Sequence, residues 1–359
     1  MTVVLFVIGL MLLIVGAEVL VKGASRLASV FRVSPLVIGL TVVAFGTSSP
    51  ELAVSIQAAT LGQASIAVGN VIGSNIFNVL FILGCSALIV PLIVSQQLIR
   101  FDVPLMIGLS VLVLIMASDG ILGAFDGSLL VLSLIAYIAF VFIQSRKAQS
   151  NDEVDADSAD APKKTSWIKD LAMVAIGLAM LVIGSDWLVD GAVALATHLG
   201  VSQLIIGLTI VATGTSLPEV VTSIVAAVHG ERDIAVGNVV GSNLFNIMGV
   251  LGVASLVAPG GIDIPASVVS FDLLVMLAVA IACLPIFFSG GIISRQEGAL
   301  LLAYYVAYTV YLVFSSTQNA LLESFSTAML YFVIPLSVLA IGVSVRQHYK
   351  HNSQAKPWT

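Results

Sequence analysis

The residues that decide the fold are Gly46-Thr47-Ser48-Ser49-Pro50-Glu51, because nearly the same run returns as Gly214-Thr215-Ser216-Leu217-Pro218-Glu219. A second motif repeats too: Gly69-Asn70-Val71-Ile72-Gly73-Ser74-Asn75 returns as Gly237-Asn238-Val239-Val240-Gly241-Ser242-Asn243. Both motifs return after the same 168 residues, and the alignment runs without a gap from about Gly9 and Gly177 to Gly84 and Gly252. A constant offset of this kind indicates an internal repeat.

The composition places the repeats in a membrane. Of the 359 residues, 59% are hydrophobic and only 9% are charged, whereas a soluble domain carries about 25% charged residues. A spanning helix needs about 20 mainly apolar residues. By that rule we predict eleven helices near residues 3–24, 35–60, 66–92, 102–118, 126–144, 170–195, 203–228, 233–257, 270–288, 297–315 and 326–345.

Each repeat contains five predicted helices, an odd number, so the second copy enters the membrane from the opposite side. The sequence therefore predicts an all-α polytopic membrane protein with two inverted-topology five-helix repeats and an extra C-terminal helix. The first repeat covers 1–144 and the second 169–315. The polar, acidic segment 145–168 is predicted to be a cytoplasmic disordered linker, and 316–359 holds the extra helix and a tail.

The basic residues indicate the orientation, because inner loops are enriched in Lys and Arg. With Met1 outside, all 14 Lys and Arg residues fall in inner loops or the C-terminal tail. The predicted outer loops, near 61–65, 119–125, 196–202, 258–269 and 316–325, hold none. We therefore expect a multi-pass protein of the cell (inner) membrane with its N-terminus outside and its C-terminus in the cytoplasm.

Glu51 and Glu219 are predicted to lie about halfway along helices 35–60 and 203–228. An ionisable group at the bilayer centre costs about 2.5–3.5 kcal/mol on insertion scales, so two at equivalent positions indicate a function beyond helix packing. Each follows a proline, whose ring clashes with the carbonyl four residues earlier. Pro50 and Pro218 are expected to break their helices and free the carbonyls of Gly46 and Gly214, as in transporters that coordinate cations.

Other oxygen-bearing side chains share a helix face with these groups. Thr47, Glu51 and Ser55 are four residues apart, and so are Asn70, Ser74 and Asn78. The second repeat matches both sets. Carboxylate, amide, hydroxyl and main-chain oxygens suit Ca2+ or Na+. Two carboxylates are neutralised by one Ca2+ or by Na+ ions, and this competition predicts exchange of one ion for the other.

The paired G-T-S-x-P-E and G-N-x-x-G-S-N motifs resemble the two α-repeats of the cation/calcium exchanger superfamily. The chain is most similar to prokaryotic sodium/calcium antiporters and potassium-dependent exchangers, over roughly residues 1–315. The resemblance implies ten helices in two inverted halves, so the helix near 326–345 is an addition. Asn246 stands where potassium-dependent members and some prokaryotic ones carry an aspartate. The implied ion ligands are Glu51, Glu219, Thr47, Thr215, Ser74, Ser242, Asn78 and Asn246, with main-chain oxygens near Ala44 and Ala212, and with Ser48 and Ser216 also lining the site.

The function expected from these residues is antiport of Ca2+ against Na+ by alternating access. A Ca2+/H+ antiporter using the same glutamates stays open, because carboxylates bind both Na+ and protons. An ion channel also stays open. An intramembrane hydrolase is disfavoured because no histidine lies within a predicted helix. We expect no enzyme activity and no cofactor; the partners are the transported Ca2+ and Na+ and the lipid bilayer, with no nucleic acid and no obligate protein partner.

Overall fold

The computed structural model describes residues 2–152, 167–198, 212–288 and 290–337. Within these ranges, eight helices are long and apolar enough to cross a membrane, and a bent pair brings the number to as many as nine. The helices are α1 (Thr2–Phe31), α2 (Pro35–Thr47), α3 (Ser49–Thr60), α4 (Ala64–Ile89), α5 (Leu98–Asp119), α6 (Ala124–Asp152), α7 (Trp167–His198), α8 (Ala212–Gly214), α9 (Leu217–Val228), α10 (Arg232–Val257), α11 (Val268–Phe288), α12 (Arg295–Ser316) and α13 (Leu322–Ser337).

Two helices form the centre of the molecule. In their most apolar stretches, α10 is 89% buried and α4 is 72% buried, whereas α12 is only 11% buried. A helix with apolar side chains all round is stable in water only when it is covered, but a lipid bilayer can solvate the exposed apolar faces of the outer helices. The polar side chains of α4 and α10 therefore face protein, and the exposed apolar faces of the outer helices are suited to contact with lipid.

Glycines bring α1 and α7 together along their length. A side-chain carbon added at Gly9 would lie 2.8 Å from the carbonyl oxygen of Gly184, and one added at Gly16 would lie 3.0 Å from that of Gly177. The partner's number falls as the residue number rises, so the two helices are antiparallel. Because Gly9 and Gly16 are the repeat mates of Gly177 and Gly184, this crossing relates the two halves by the inversion that the sequence predicts.

Four short strands join the repeats at their ends. β1 (Leu92–Ile93) pairs antiparallel with β4 (Ile292–Ile293), and β2 (Ile121–Leu122) pairs with β3 (Ile262–Asp263). Each ribbon takes one strand from each repeat. The loops near 92 and 292 therefore lie on one side, and those near 121 and 262 lie together. This is the sidedness that the eleven-helix threading gives to these loops.

The polytopic helical architecture is confirmed, but several predicted boundaries are wrong. α1 runs to Phe31, and α6 continues to Asp152, into the segment 145–168 predicted to be a linker. Good helix formers such as Gln144, Ala148 and Gln149 explain the longer α6, because a helix propagates beyond the bilayer at little cost. Residues 153–166 and 199–211 lie outside the described residues, so the eleven-helix count and the predicted linker remain predictions.

The predicted C-terminal helix 326–345 begins earlier than expected, at Leu322, and its described part ends at Ser337. It packs on α12: the hydroxyl of Tyr304 donates to the carbonyl of Val333 over 3.4 Å, and Phe314 meets Phe325 edge to face. Residues 338–345 lie outside the described residues. Whether this helix crosses the membrane remains a prediction.

Candidate cation-binding site

Each glutamate follows a break in its helix. The axis bends by 46° between α2 and α3, at Ser48, whose ψ of 8° departs from helical geometry. Ser216 takes the same position before α9, with ψ of 6°. Pro50 and Pro218 lie at the second position of α3 and α9, where a missing N–H costs no hydrogen bond. The predicted breaks are therefore present in both repeats, and Glu51 and Glu219 occupy first helical turns.

The candidate ligand side chains are removed from solvent. Glu51 is 1% exposed and Glu219 is 0% exposed. Thr215 is half-buried, and the other side-chain candidates are buried: Thr47, Ser48, Ser74, Asn78, Ser216, Ser242 and Asn246. The structure thus gathers the predicted residues in the protein interior. Ala212 begins α8, and its side-chain surroundings lie outside the described part of the chain.

Serine hydroxyls connect each carboxylate to the opposite repeat. The hydroxyl of Ser216 donates to Oε1 of Glu51 over 2.7 Å, and that of Ser48 donates to Oε1 of Glu219 over 2.8 Å. Ser74 Oγ lies 3.2 Å from Ser216 Oγ, within hydrogen-bonding distance. Hydrogen bonds to an ionised acceptor are among the strongest in proteins. The two carboxylates are therefore held by reciprocal bonds across the repeat interface.

Two asparagines tie the threonine hydroxyls to the backbone of the other repeat. Thr47 Oγ1 donates to Oδ1 of Asn238 over 3.1 Å, and Thr215 Oγ1 lies 3.5 Å from Oδ1 of Asn70. The amide nitrogen of Asn70 donates to the carbonyl of Glu51 over 3.0 Å. Because the threonine protons are directed at the amides, a lone pair of each threonine oxygen remains for an ion.

The amide candidates sit where two central helices change winding. α4 becomes a π-helix over Asn78–Leu83, and α10 does so over Asn246–Leu251, so an asparagine is the first residue of each wide turn. Such turns recur at functional sites because they displace side chains from the regular helical register. The amide nitrogen of Asn78 donates to Oδ1 of Asn243 over 3.0 Å, and that of Asn246 donates to Oδ1 of Asn75 over 3.2 Å.

Several buried oxygens at this site have no hydrogen-bond donor. Five such atoms are Oε2 of Glu51, Oε2 of Glu219, Oδ1 of Asn78, Oδ1 of Asn246 and Oγ of Ser242. A buried oxygen without a partner costs about 1–3 kcal/mol, and more if it is charged. A hard cation bound among such oxygens would compensate them, since Ca2+ takes six to eight oxygen ligands and accepts flexible geometry.

The charge at the site limits which ions fit. Among the described residues, no group of three or more His, Cys, Asp or Glu side chains could hold a metal ion. The two glutamates supply the negative charge, and the remaining donors are neutral oxygens. A set of this kind favours Ca2+ or Na+ over Zn2+ or Cu2+, which prefer nitrogen or sulfur ligands.

One of the two main-chain oxygens expected to be available differs from the expectation. The carbonyl of Ala44 accepts from the backbone N–H of Ser48 over 3.0 Å, and Thr47 Oγ1 lies 3.4 Å away but directs its proton at Asn238, so one lone pair of the Ala44 carbonyl remains. The carbonyl of Gly214, expected to be free, accepts from the hydroxyl of Ser185 over 2.7 Å. The prediction of a bare Gly214 carbonyl is therefore wrong, because α7 supplies a donor that the broken helix lacks.

Sequence reasoning missed two residues at this site. Asn75 and Asn243 close the repeated G-N-x-x-G-S-N motif and bind the amides of the candidate ligands Asn246 and Asn78. Their recurrence at the repeat spacing was a usable signal. Their partners were not, because each one lies on the other repeat.

Comparisons with known proteins show which family the chain resembles. The family model described as sodium/calcium exchanger protein matches residues 1–145 and 169–314. The sodium/calcium exchanger MaX1 of Methanosarcina acetivorans is 34% identical over 344 residues, covering 86% of this chain and 98% of its own. The inner membrane protein YrbG of Escherichia coli is 40% identical over 280 residues, covering 77% of this chain and 86% of its own.

A solved structure shows the same fold. The sodium-calcium exchanger NCX_Mj, soaked with Na+ and Sr2+, superposes with a TM-score of 0.73 at 34% identity, covering 85% of this chain and 96% of its own. More distant relatives include mammalian sodium/potassium/calcium exchangers, which match about half of this chain. The resemblance inferred from the motifs is thus confirmed.

Proposed function

The chain belongs to the sodium/calcium exchanger family, and we propose that it exchanges Ca2+ for Na+ across the membrane at a site built on Glu51 and Glu219. The observation that carries the proposal is the set of unpartnered buried oxygens, which includes one carboxylate oxygen from each repeat. A single Ca2+ balances the two carboxylates. Na+ ions can replace it, and this competition couples the movement of one ion to that of the other.

The remaining ligands in the proposal are the neutral oxygens around the carboxylates. They are the side chains of Thr47, Thr215, Ser74, Ser242, Asn78 and Asn246, with Ser48 and Ser216 beside the glutamates and with main-chain oxygens at Ala44 and Ala212. The reciprocal bonds Ser216–Glu51 and Ser48–Glu219 support this assignment because they hold both carboxylates between the repeats. The Ala44 carbonyl accepts from the backbone N–H of Ser48 and keeps a second lone pair for an ion.

The inverted repeats supply a route for alternating access. A site between two halves of opposite orientation can open to one side when the halves rock and to the other side when they rock back. Without a cation, two buried carboxylates lack compensating charge, which is costly in a low-dielectric interior. Movement of an empty, ionised site is therefore disfavoured, and this requirement makes transport an exchange and distinguishes it from a channel.

Protons are the second candidate counter-ion. The same two carboxylates could be neutralised by H+ in place of Na+, so the donor set is also compatible with Ca2+/H+ antiport.

We place the protein in the cell membrane with the N-terminus outside, supported by the segregation of basic residues and by the inner-membrane relative. The substrates are the ions themselves, so the proposal involves neither an enzyme activity nor a cofactor.

Purified protein in proteoliposomes tests the proposal. Vesicles loaded with NaCl are diluted into Na+-free buffer containing radioactive Ca2+, and a parallel set carries a pH gradient with choline in place of Na+. We expect Ca2+ uptake to require the outward Na+ gradient. Uptake driven only by the pH gradient would identify the proton antiporter, and uptake without any counter-ion gradient that also passes single-channel current would identify a channel.

A further inference from the structure

Asn75 and Asn243 lie at the centre of the molecule and are not among the proposed ion ligands. Each is 2% exposed. They face each other across the repeat interface, on α4 and α10, one helical turn before the ligand amides Asn78 and Asn246. Their hydrogen bonds determine which way the ligand amides point.

The partners of Asn243 fix the orientation of its own amide. Its nitrogen lies 3.3 Å from the carbonyl oxygen of Asn75 and 3.5 Å from the sulfur of Met106. A carbonyl oxygen and a thioether sulfur can only accept hydrogen bonds, so the NH2 group of Asn243 has to face them. Its oxygen must then point the opposite way, toward Asn78.

The orientation passes on to the ligand. Because the Asn243 oxygen faces Asn78, the Asn78 NH2 group turns toward it and donates over 3.0 Å. The Asn78 oxygen is directed away from this bond and has no hydrogen-bond donor. That is the orientation a cation requires, since a flipped amide would present two N–H groups to the positive charge.

An equivalent relay runs in the opposite direction, from the first repeat to the second. The nitrogen of Asn75 lies 3.5 Å from the carbonyl oxygen of Asn243 and 3.6 Å from the sulfur of Met276. Its oxygen accepts from the Asn246 nitrogen over 3.2 Å, and the Asn246 oxygen is left without a donor. Both ligand amides are therefore set by an asparagine of the opposite repeat.

We propose that Asn75 and Asn243 are positioning residues that keep the carbonyl oxygens of Asn246 and Asn78 turned toward the transported cation. The proposal rests on the proposed function, because it requires these two oxygens to bind the ion. Each relay starts at two groups that can only accept hydrogen bonds, a main-chain carbonyl and a methionine sulfur. It ends at the amide of an ion ligand. Without it, the ligand amide is free to flip and its oxygen is lost for part of the time.

A double-mutant cycle on Ca2+ binding by the detergent-purified chain tests the relay. Asn243→Leu keeps the number and branching of the side-chain heavy atoms and removes the acceptor for Asn78. We expect the Kd for Ca2+ in Na+-free buffer to rise about tenfold, the usual effect of one hydrogen bond at a ligand. Asn78→Ala removes the ligand. If Asn243 acts through Asn78, the double variant will bind no more weakly than Asn78→Ala alone.

The repeat mate Asn75 and a buried serine outside both relays provide matched controls. Asn75→Leu should be non-additive with Asn246→Ala and additive with Asn78→Ala, because its relay ends at Asn246. Ser255→Ala removes a buried hydroxyl that lies outside both relays and donates to the carbonyl of Leu251 on its own helix, so its Kd should stay within about twofold of the wild type. Each variant is first compared with the wild type by gel filtration and thermal unfolding, and Asn243→Ala replaces the leucine variant if the latter does not fold.

The outcomes separate the inference from the function on which it rests. Suppose that the wild type binds Ca2+ and that the fold-changes in Kd caused by Asn243→Leu and Asn78→Ala multiply in the double variant. This result would overturn the relay and leave the proposed function standing. A Kd unchanged by Asn243→Leu would overturn it as well. A wild-type chain that binds no Ca2+ would overturn the proposed function and the relay together. Because binding is measured without a counter-ion, the test is valid whether Na+ or H+ drives transport.

Discussion

The hydroxyls of Ser48 and Ser216 each donate a hydrogen bond to a carboxylate of the opposite repeat. A hydrogen bond donated to the carboxyl group stabilises the ionised carboxylate more than the carboxylic acid. These two hydroxyls therefore help a cation to compete against protons for the glutamates. They also orient Oε1 of each glutamate, and Oε2 is left without a donor.

Replacing either serine with alanine should weaken Ca2+ binding. We expect Ser48→Ala and Ser216→Ala to raise the Kd by up to about tenfold, and more at pH 6 than at pH 9, because protons then compete better for the carboxylate. Ser49→Ala is the control, since the Ser49 hydroxyl donates to the carbonyl of Phe45 in α2 and not to a carboxylate. A loss in Ser48→Ala that is the same at every pH would contradict the role assigned to the hydroxyl.

Asn246 determines the charge balance in a different way. An aspartate there would give the site three carboxylates, and a bound Ca2+ would leave one negative charge uncompensated. With asparagine, Ca2+ and the two glutamates balance, and binding K+ would cost the desolvation of an extra ion.

We therefore expect Na+-driven Ca2+ flux to continue when choline replaces K+ on both sides of the vesicle membrane. Asn246→Asp should make the flux sensitive to K+ or to pH, because the added carboxylate must be neutralised by one or the other. Flux in the wild type that stops without K+ and returns on its addition would contradict the charge-balance argument.

At the scale of elements, the contact of α1 with α7 depends on glycine. An added carbon at Gly184 would lie 2.8 Å from the carbonyl oxygen of Gly9 and 2.9 Å from the nitrogen of Leu13. Both are main-chain atoms, so only a shift of a whole helix can relieve the contact. Helices in lipid gain much of their association energy from such close packing of small residues.

Gly184→Ala should therefore destabilise the protein by about 1–3 kcal/mol, the usual cost of overpacking. The measurement is the midpoint of thermal unfolding in detergent, which should fall. Gly108→Ala is the control, because no described atom lies within 4 Å of a carbon added there. This variant should leave the midpoint unchanged or raise it, since alanine favours a helix over glycine. Equal midpoints for both variants would be inconsistent with the packing described for α1 and α7.

The breaks before Glu51 and Glu219 could be predicted from the sequence, because proline acts on its own helix. The bond from Ser185 to the Gly214 carbonyl could not, since it depends on how α7 docks against α8. The π-turns at Asn78 and Asn246 were equally hidden, because no local pattern in these apolar runs distinguishes a wide turn from a regular one. Features set within one helix could be predicted from the sequence, and contacts between helices could not.

At the scale of the whole molecule, the constant offset between the motifs predicted the inverted repeat correctly. It did not predict that the halves exchange hydrogen bonds, as in Ser48–Glu219 and Thr47–Asn238. Such pairs are set by the docking of two symmetric units, and a sequence pattern within one unit carries no information on them. The pairing of β1 with β4 and of β2 with β3 belongs to the same class.

Those ribbons lead to a prediction on topology. Asp263 is exposed in β3, and Asp119 is exposed just before β2. His229 and Arg295 are exposed in the predicted inner loops, Arg295 beside the β1–β4 ribbon. In a background without Cys85 and Cys283, single cysteines at Asp119 and Asp263 should react with an impermeant maleimide in intact cells. Cysteines at His229 and Arg295 should react only after permeabilisation. The reverse pattern would place the N-terminus in the cytoplasm.

The central claim is that Glu51 and Glu219 together hold the transported ion. Each supplies half of the charge that neutralises Ca2+, and glutamine keeps the shape of the side chain while removing that charge. Glu18→Gln is the control, because Glu18 is partly exposed and pairs with Lys22 in the same helix, a contact of little energetic value.

The most direct measurement is the Na+-driven uptake of radioactive Ca2+ into proteoliposomes that contain equal amounts of folded wild type, Glu51→Gln, Glu219→Gln or Glu18→Gln. We predict full uptake for the wild type and for Glu18→Gln, and no uptake above protein-free vesicles for Glu51→Gln or Glu219→Gln. Uptake at the wild-type rate by either Glu51→Gln or Glu219→Gln would contradict the account.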